Sequence, residues 1–262
     1  MISNSPKPQF NQINVKKYGT YIFSIVIWIL IWHIAAKTIN SELFLPTPIK
    51  VFQVLVHDLF PSEVFWKSLV TSLLHIGEGF VIGSIAGILL AALSACSQIF
   101  RIFVWFPVKI MKSVPVASFV ILVLLWFDTD DLAIFIPAMI VLPTLYINTL
   151  AGIEQTSTKL IHMADLFRIP LWRRILSIYI PNAIPYTLSA CSLAVGMAWK
   201  AGIAAEIIGL AKNSIGNELY KAKIYLMIPE LFAWTIVIVC LSIVCEGIIK
   251  ITIRLINQDT QN

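Results

Sequence analysis

From Gly79 to Phe100 the chain carries no Asp, Glu, Lys or Arg. A run of that kind is long enough to cross a bilayer, whose hydrocarbon core of roughly 30 Å takes about 20 predominantly apolar residues as a helix. Inside lipid the backbone polar groups must be satisfied within the segment, so the run is read as helical. Similar runs recur along the chain, and spans are expected at about 18–36, 80–97, 108–127, 132–152, 184–208 and 231–249. Charged residues make up 13% of the sequence, half the roughly 25% of soluble domains. They cannot coat a globular surface, and they cluster at the ends of the apolar runs. The fold class expected is an all-α integral membrane protein with about six transmembrane helices. They form one domain over 18–255 between short tails, 1–17 and 256–262.

Two spans need comment. The first follows Lys16 and Lys17. It is long for the apolar core of a signal peptide and more spans follow, so it is read as an uncleaved helix. The third has only a short window between Lys112 and Asp128, so its helix is expected to begin earlier and carry Lys112 near the interface.

Basic residues set the orientation. With the N-terminus inside, Lys7, Lys16, Lys17, Arg101, Lys109, Lys112, Lys159, Arg168, Arg173, Arg174, Lys250 and Arg254 all face the cytoplasm. The acidic Asp128-Thr129-Asp130-Asp131 then lies outside, and both tails are cytoplasmic. Lys37, Lys50, Lys67, Lys212, Lys221 and Lys223 are exceptions on the external side. The net charge of +5 follows from this bias toward a lipid bilayer, and no nucleic-acid partner is expected. Cys96, Cys191, Cys240 and Cys245 sit in apolar surroundings without a C-x-x-C pair. They read as packing residues rather than metal ligands or disulfides.

Two interruptions of the apolar pattern stand out. Leu45-Pro46-Thr47-Pro48 is an extended segment set by its prolines, and Ile49–Leu59 after it reads as a short amphipathic helix. A longer polar and basic stretch, 154–181, separates the fourth and fifth spans and ends in Ile180-Pro181-Asn182. No G-x-x-x-x-G-K-[ST] phosphate loop, H-E-x-x-H metal motif or G-x-S-x-G nucleophile elbow occurs. The chain therefore reads as a non-enzyme that does not drive transport by binding ATP itself.

The stretch from His162 to Pro185 resembles the cytoplasmic loop of binding-protein-dependent ABC permeases, whose signature is E-A-A-x3-G-x9-I-x-L-P. Ala164 matches the second alanine, and Ile178, Ile180 and Pro181 match the end of the signature. His162 and Arg168 stand where the family has Glu and Gly. Leu45-Pro46-Thr47-Pro48, Trp66–Leu73 and Gly196–Gly209 resemble the sulfonate, nitrate and taurine branch of the same family. The resemblance implies a type I importer permease in which a loop around 162–174 docks on a separate cytoplasmic ATPase. Met163, Ala164, Asp165, Leu166, Phe167, Arg168, Ile169, Pro170, Leu171, Arg173, Arg174 and Pro181 would form this coupling element. Leu166, Phe167 and Leu171 would be its apolar anchor, Arg168, Arg173 and Arg174 its polar contacts, and Pro170 and Pro181 its ends. The resemblance also implies a second permease copy and an extracytoplasmic solute-binding protein. ATP and Mg would be bound by the partner ATPase, and this chain would hold no cofactor. The solute would be a small anion.

Lys200 and Glu206 lie within the fifth span, and ionisable groups at that depth mark pathways by default. They are separated by about 120° around the helix, so they need not pair. Lys200, with Glu206 and Trp199 of the same motif, forms a candidate translocation path. An alternative is a self-sufficient secondary carrier that uses Lys200 and Glu206 for coupling. His75 and Glu78 share a helix face and are read as a local pair. Gly79, Gly83 and Gly87 form overlapping G-x-x-x-G motifs that permit close helix approach, either at the pore or in plain bundle packing.

Overall fold

The computed structural model describes residues 13–259, with side chains over 19–255. The expected cytoplasmic tails 1–17 and 256–262 lie largely outside the described residues. All regular structure among the described residues is helical. The helices are α1 (Ile13–Ile39), α2 (Pro48–Val54), α3 (Glu63–Cys96), α4 (Gln98–Ser113), α5 (Val116–Val123), α6 (Thr129–Glu154), α7 (Thr158–Leu166), α8 (Leu171–Arg174), α9 (Ile180–Gly209), α10 (Ile215–Ile224) and α11 (Ile228–Asp259). Wider π turns follow α2 at Leu55–Leu59 and α8 at Ile175–Tyr179.

Five helical stretches are long and apolar enough to cross a membrane: Gly19–Ile39, Glu63–Cys96, Thr129–Glu154, Leu171–Gly209 and Ile228–Leu255. The bent pair α4 and α5 supplies a sixth if it counts as one span. The expected span over 108–127 is formed by two helices, the first beginning at Gln98 and carrying Lys112, with a bend of 106° between them. Proline disfavours the helical conformation in the residue before it, and Val114, before Pro115, is extended at φ −76° and ψ 128°. The second span also differs. Its helix begins at Glu63 rather than near 80, which brings Ser68, Ser72, His75 and Glu78 into α3.

The centre of the bundle is the packing of α3 on α6 and of α6 on α9. The glycine row of α3 makes the first contact possible. A Cβ on Gly83 would stand 2.5 Å from the Ala138 carbonyl, and one on Gly87 2.7 Å from that of Leu142. A Cβ on Gly79 would strike the Ile134 carbonyl. Close helix packing on α6 is thus the use of this row. Gly202 of α9 does the same against Ile76. The prolines of α6, Pro137 and Pro143, are both fully buried at this seam, where neighbouring helices tolerate the freed backbone groups.

α2 and its π turn pack Val51, Val54 and Leu59 into a core shared with Phe65, Trp199 and Trp234. α1 is anchored by Trp32, whose indole N–H donates to the Pro46 carbonyl at 3.1 Å and whose ring stacks on Phe232. Residues 19–31 of α1 are exposed, and α11 contributes Ala233, Trp234 and Val237 to the core while Val239, Ile243, Val244 and Ile248 are exposed, as lipid-facing positions are. Cys96 and Cys240 lie on exposed surface, and Cys191 and Cys245 are half-buried.

Candidate functional site

The polar stretch after α6 forms a helical elbow. α7 ends in a Schellman turn: Ile169 N donates to the Ala164 carbonyl at 2.9 Å and Arg168 N to that of Asp165 at 3.0 Å. Such a turn places one residue in the left-handed region, where Gly is preferred because it lacks a Cβ. Here that residue is Arg168, with φ 51°. The family signature has Gly at this position, so the backbone the signature asks for is kept although the residue is not.

Arg174 locks the elbow from inside. Its Nε donates to the Ile169 carbonyl at 2.7 Å, its Nη2 to the Ala164 carbonyl at 3.3 Å, and its Nη1 pairs with Asp165. The expected polar contact of Arg174 with a partner or with lipid is therefore replaced by an internal clamp. Ala164 is fully buried beneath it, and a larger side chain would press into the clamp. Arg173 turns outward over the Trp172 ring, 5.0 Å from its centroid.

The outer surface of the elbow is apolar. Leu166 is 82% exposed, Phe167 73% and Leu171 70%, with Met163 and Trp172 also bare. Phe167, Arg168, Ile169, Pro170 and Arg173 line a shallow pocket on the same surface with Ser177 and Ile178. Trp172 escaped the sequence reading because the signature does not specify its position. Pro170 does bound the elbow, as the cap before α8. Pro181 does not. It lies inside one helical stretch from Leu171 to Gly209, where the preceding π turn accommodates its missing N–H.

The membrane-embedded residues separate into two environments. Lys200 is exposed and has no ion pair or hydrogen bond among the described residues. It shares an open face of α9 with Leu193 and Met197, beside Thr144 of α6, whose Oγ1 lies 4.0 Å from the Met197 sulfur. Trp199 points away from that face. It is buried and donates its indole N–H to the Ile238 carbonyl of α11 at 3.0 Å.

Glu206 is fully buried. Its Oε2 accepts from Ser72 Oγ at 2.7 Å and from Gly216 N at 3.1 Å, while Oε1 lies 3.6 Å from His75 Nδ1. His75 therefore faces Glu206 rather than Glu78, because the early start of α3 turns it into the bundle. Neither Trp199 nor Glu206 borders the open face. Ser72 and Gly216 were missed by sequence reasoning. The spacing of Ser68, Ser72 and His75 on one helical face was the available signal.

A solved structure of an amino acid ABC transporter with histidines matches the chain with a TM-score of 0.60, covering 75% of this chain and 94% of that one at 15% identity. The fold is accordingly that of an ABC-transporter membrane subunit. The chain belongs to the family of binding-protein-dependent transport system inner membrane components, whose sequence profile matches residues 79–262. The nitrate import permease protein NrtB of Synechococcus elongatus is 26% identical over 218 residues, covering 79% of this chain and 77% of its own length. The taurine transport system permease protein TauC of Escherichia coli is 23% identical over 240 residues, covering 87% and 83%. The protein is thus a multi-pass membrane permease of the ABC importer class, and its relatives are transport permeases.

Proposed function

We propose that this chain forms half of a translocation pathway, pairs with a second permease copy, and is driven by a separate cytoplasmic ATPase through the elbow around 162–174. The elbow carries the reading. Large apolar side chains stand bare on a rigid, internally clamped lever, and a buried partner surface is what such side chains fit. Both termini lie on the cytoplasmic side in this reading, and ATP and Mg are bound by the ATPase chain. The transported solute is a small anion of the sulfonate, nitrate or taurine kind, released to the permease by an extracytoplasmic binding protein. Lys200 supports this choice: it is a cation on an open face inside a span, unpaired among the described residues, and ionisable residues at that depth mark ion and substrate paths. The self-sufficient carrier loses its main support, since Glu206 is enclosed and already holds two hydrogen-bond donors.

The test is purification in mild detergent with Phe167→Glu and Leu171→Glu. Wild-type chain is expected to bring an ATPase with it, and the double variant to insert normally without one. Copurification that survives both charges refutes the docking assignment.

A further inference from the structure

The two ends of the Leu171–Gly209 helix touch different things. One end is the elbow. The other meets α10, and the junction there contains an arrangement that coupling at the elbow does not use. At 39 residues the helix is roughly 58 Å long at 1.5 Å per residue. It ends sharply, with Leu210 and Asn213 both in the left-handed region at φ 57° and 52°. The covalent connection to α10 is therefore a tight turn, not a continuation.

The first three amide groups of α10 are taken by three different owners. Asn217 N donates to Ser214 Oγ at 3.1 Å, the helix's own cap. Ile215 N donates to Ser72 Oγ of α3 at 2.9 Å. Gly216 N donates to Glu206 Oε2 of α9 at 3.1 Å. Ser72 in turn donates to the same carboxylate oxygen. Ser214 satisfies one of the orphan amides of α10; the buried amides of Ile215 and Gly216 are satisfied from α3 and α9, so these two bonds also join helices. The seat is also close-fitting. A Cβ on Gly216 would strike Glu206 Cβ and stand 2.7 Å from Ile207 N. The turn has one further tie, from Lys212 N to Asp130 Oδ1 of α6 at 3.0 Å.

We propose that Glu206 is a positioning residue that, with Ser72, latches α10 to the far end of the Leu171–Gly209 helix. A displacement of the elbow is thereby delivered to α10 at the opposite end of the molecule. The proposal rests on the elbow being the ATPase-driven element, and it adds the element that receives the movement. The carboxylate acts through acceptance of two hydrogen bonds in a buried seat, where an unmade bond is expensive.

The experiment uses the permease–ATPase complex in nanodiscs. Cys96, Cys191, Cys240 and Cys245 are replaced by serine and a reporter is placed by Lys223→Cys at an exposed position of α10. The maleimide labelling rate is read with and without ATP plus vanadate, alongside ATP hydrolysis. The latch should give a nucleotide-dependent change of about 5-fold or more, the scale of ordinary site-to-site coupling. Glu206→Ala should abolish that change while hydrolysis continues. Glu206→Gln keeps one carbonyl acceptor for both donors and should retain most of it.

Should Glu206→Ala fail to assemble, Ser72→Ala decides, since it removes the Ile215 tie and one donor to the carboxylate but leaves the Gly216 bond, and should lower the response. An unchanged response in Glu206→Ala or in Ser72→Ala overturns the proposal. So does a Glu206→Gln response as low as that of Ala, or a wild-type complex with no response. Failure of the underlying elbow reading looks different, because the ATPase would then stay with the chain carrying Phe167→Glu and Leu171→Glu.

Discussion

The elbow and the α10 junction sit at opposite ends of one helix and are built on opposite principles. At the elbow Arg174 is turned inward while large apolar groups face outward. Arg174 spends its hydrogen bonds on the Ile169 and Ala164 carbonyls, and Leu166, Phe167 and Leu171 are left bare. At the junction the carboxylate of Glu206 and the hydroxyl of Ser72 are sealed in, and Ile215 is fully buried beside them. A surface that must meet another chain needs a stiff frame and an unsatisfied apolar face. A joint between helices of the same chain needs the reverse, since buried polar groups must be paired. The consequence is a division of sensitivity: substitutions at the junction should act on stability, and those on the face of the elbow on assembly.

The largest effect on stability is expected from Gly216→Val. The added side chain meets Glu206 and the α9 backbone, and overpacking of this kind costs about 3 kcal/mol. Unfolding in an SDS titration followed by tryptophan fluorescence should show it, and an unchanged midpoint would break the comparison. Arg174→Leu should come next. Asp165 is more than half exposed, so the ion pair adds little. The loss of the two carbonyl contacts should free α7 locally by about 1–2 kcal/mol. Amides of 158–169 would then exchange roughly 5- to 30-fold faster while the membrane core stays protected.

Arg168→Gly should act in the opposite direction. It relieves a left-handed non-glycine residue and should steady the elbow by up to about 1 kcal/mol, read as slower exchange of the same amides. The smallest effect on stability belongs to Phe167→Glu and Leu171→Glu. These exposed changes should move the unfolding midpoint by no more than about 0.5 kcal/mol although they remove the ATPase. A loss of stability there would mean that the bare face is packed against its own chain.

Much of this was legible in the sequence. The apolar run from Gly79 to Phe100 and the polar interruption at 154–181 require no tertiary information, because lipid admits only a narrow range of segments. Ala164, Ile180 and Pro181 located the elbow, and the mismatch at Arg168 marked the residue with the strained backbone. The break at Val114 and Pro115 was also written there, since X-Pro biases the chain away from helix. Apolar composition over 108–127 is blind to that break. The glycine row of α3 could equally have served a pore or a seam, and only its register against the α6 carbonyls at Ala138 and Leu142 settled that.

By itself, then, the sequence determined which segments enter the membrane, where the chain leaves it for the elbow, and which residues there are apolar. Those properties depend on composition and local backbone preference, which act over a few residues. The tertiary structure alone decided the partners of the charges. His75 turned from Glu78 to Glu206, Trp199 turned away from the open face, and Arg174 turned inward. The contact between Ser72 and Glu206 joins positions 134 residues apart. No local preference encodes that distance, and only the packing of α3 against α9 brings it about.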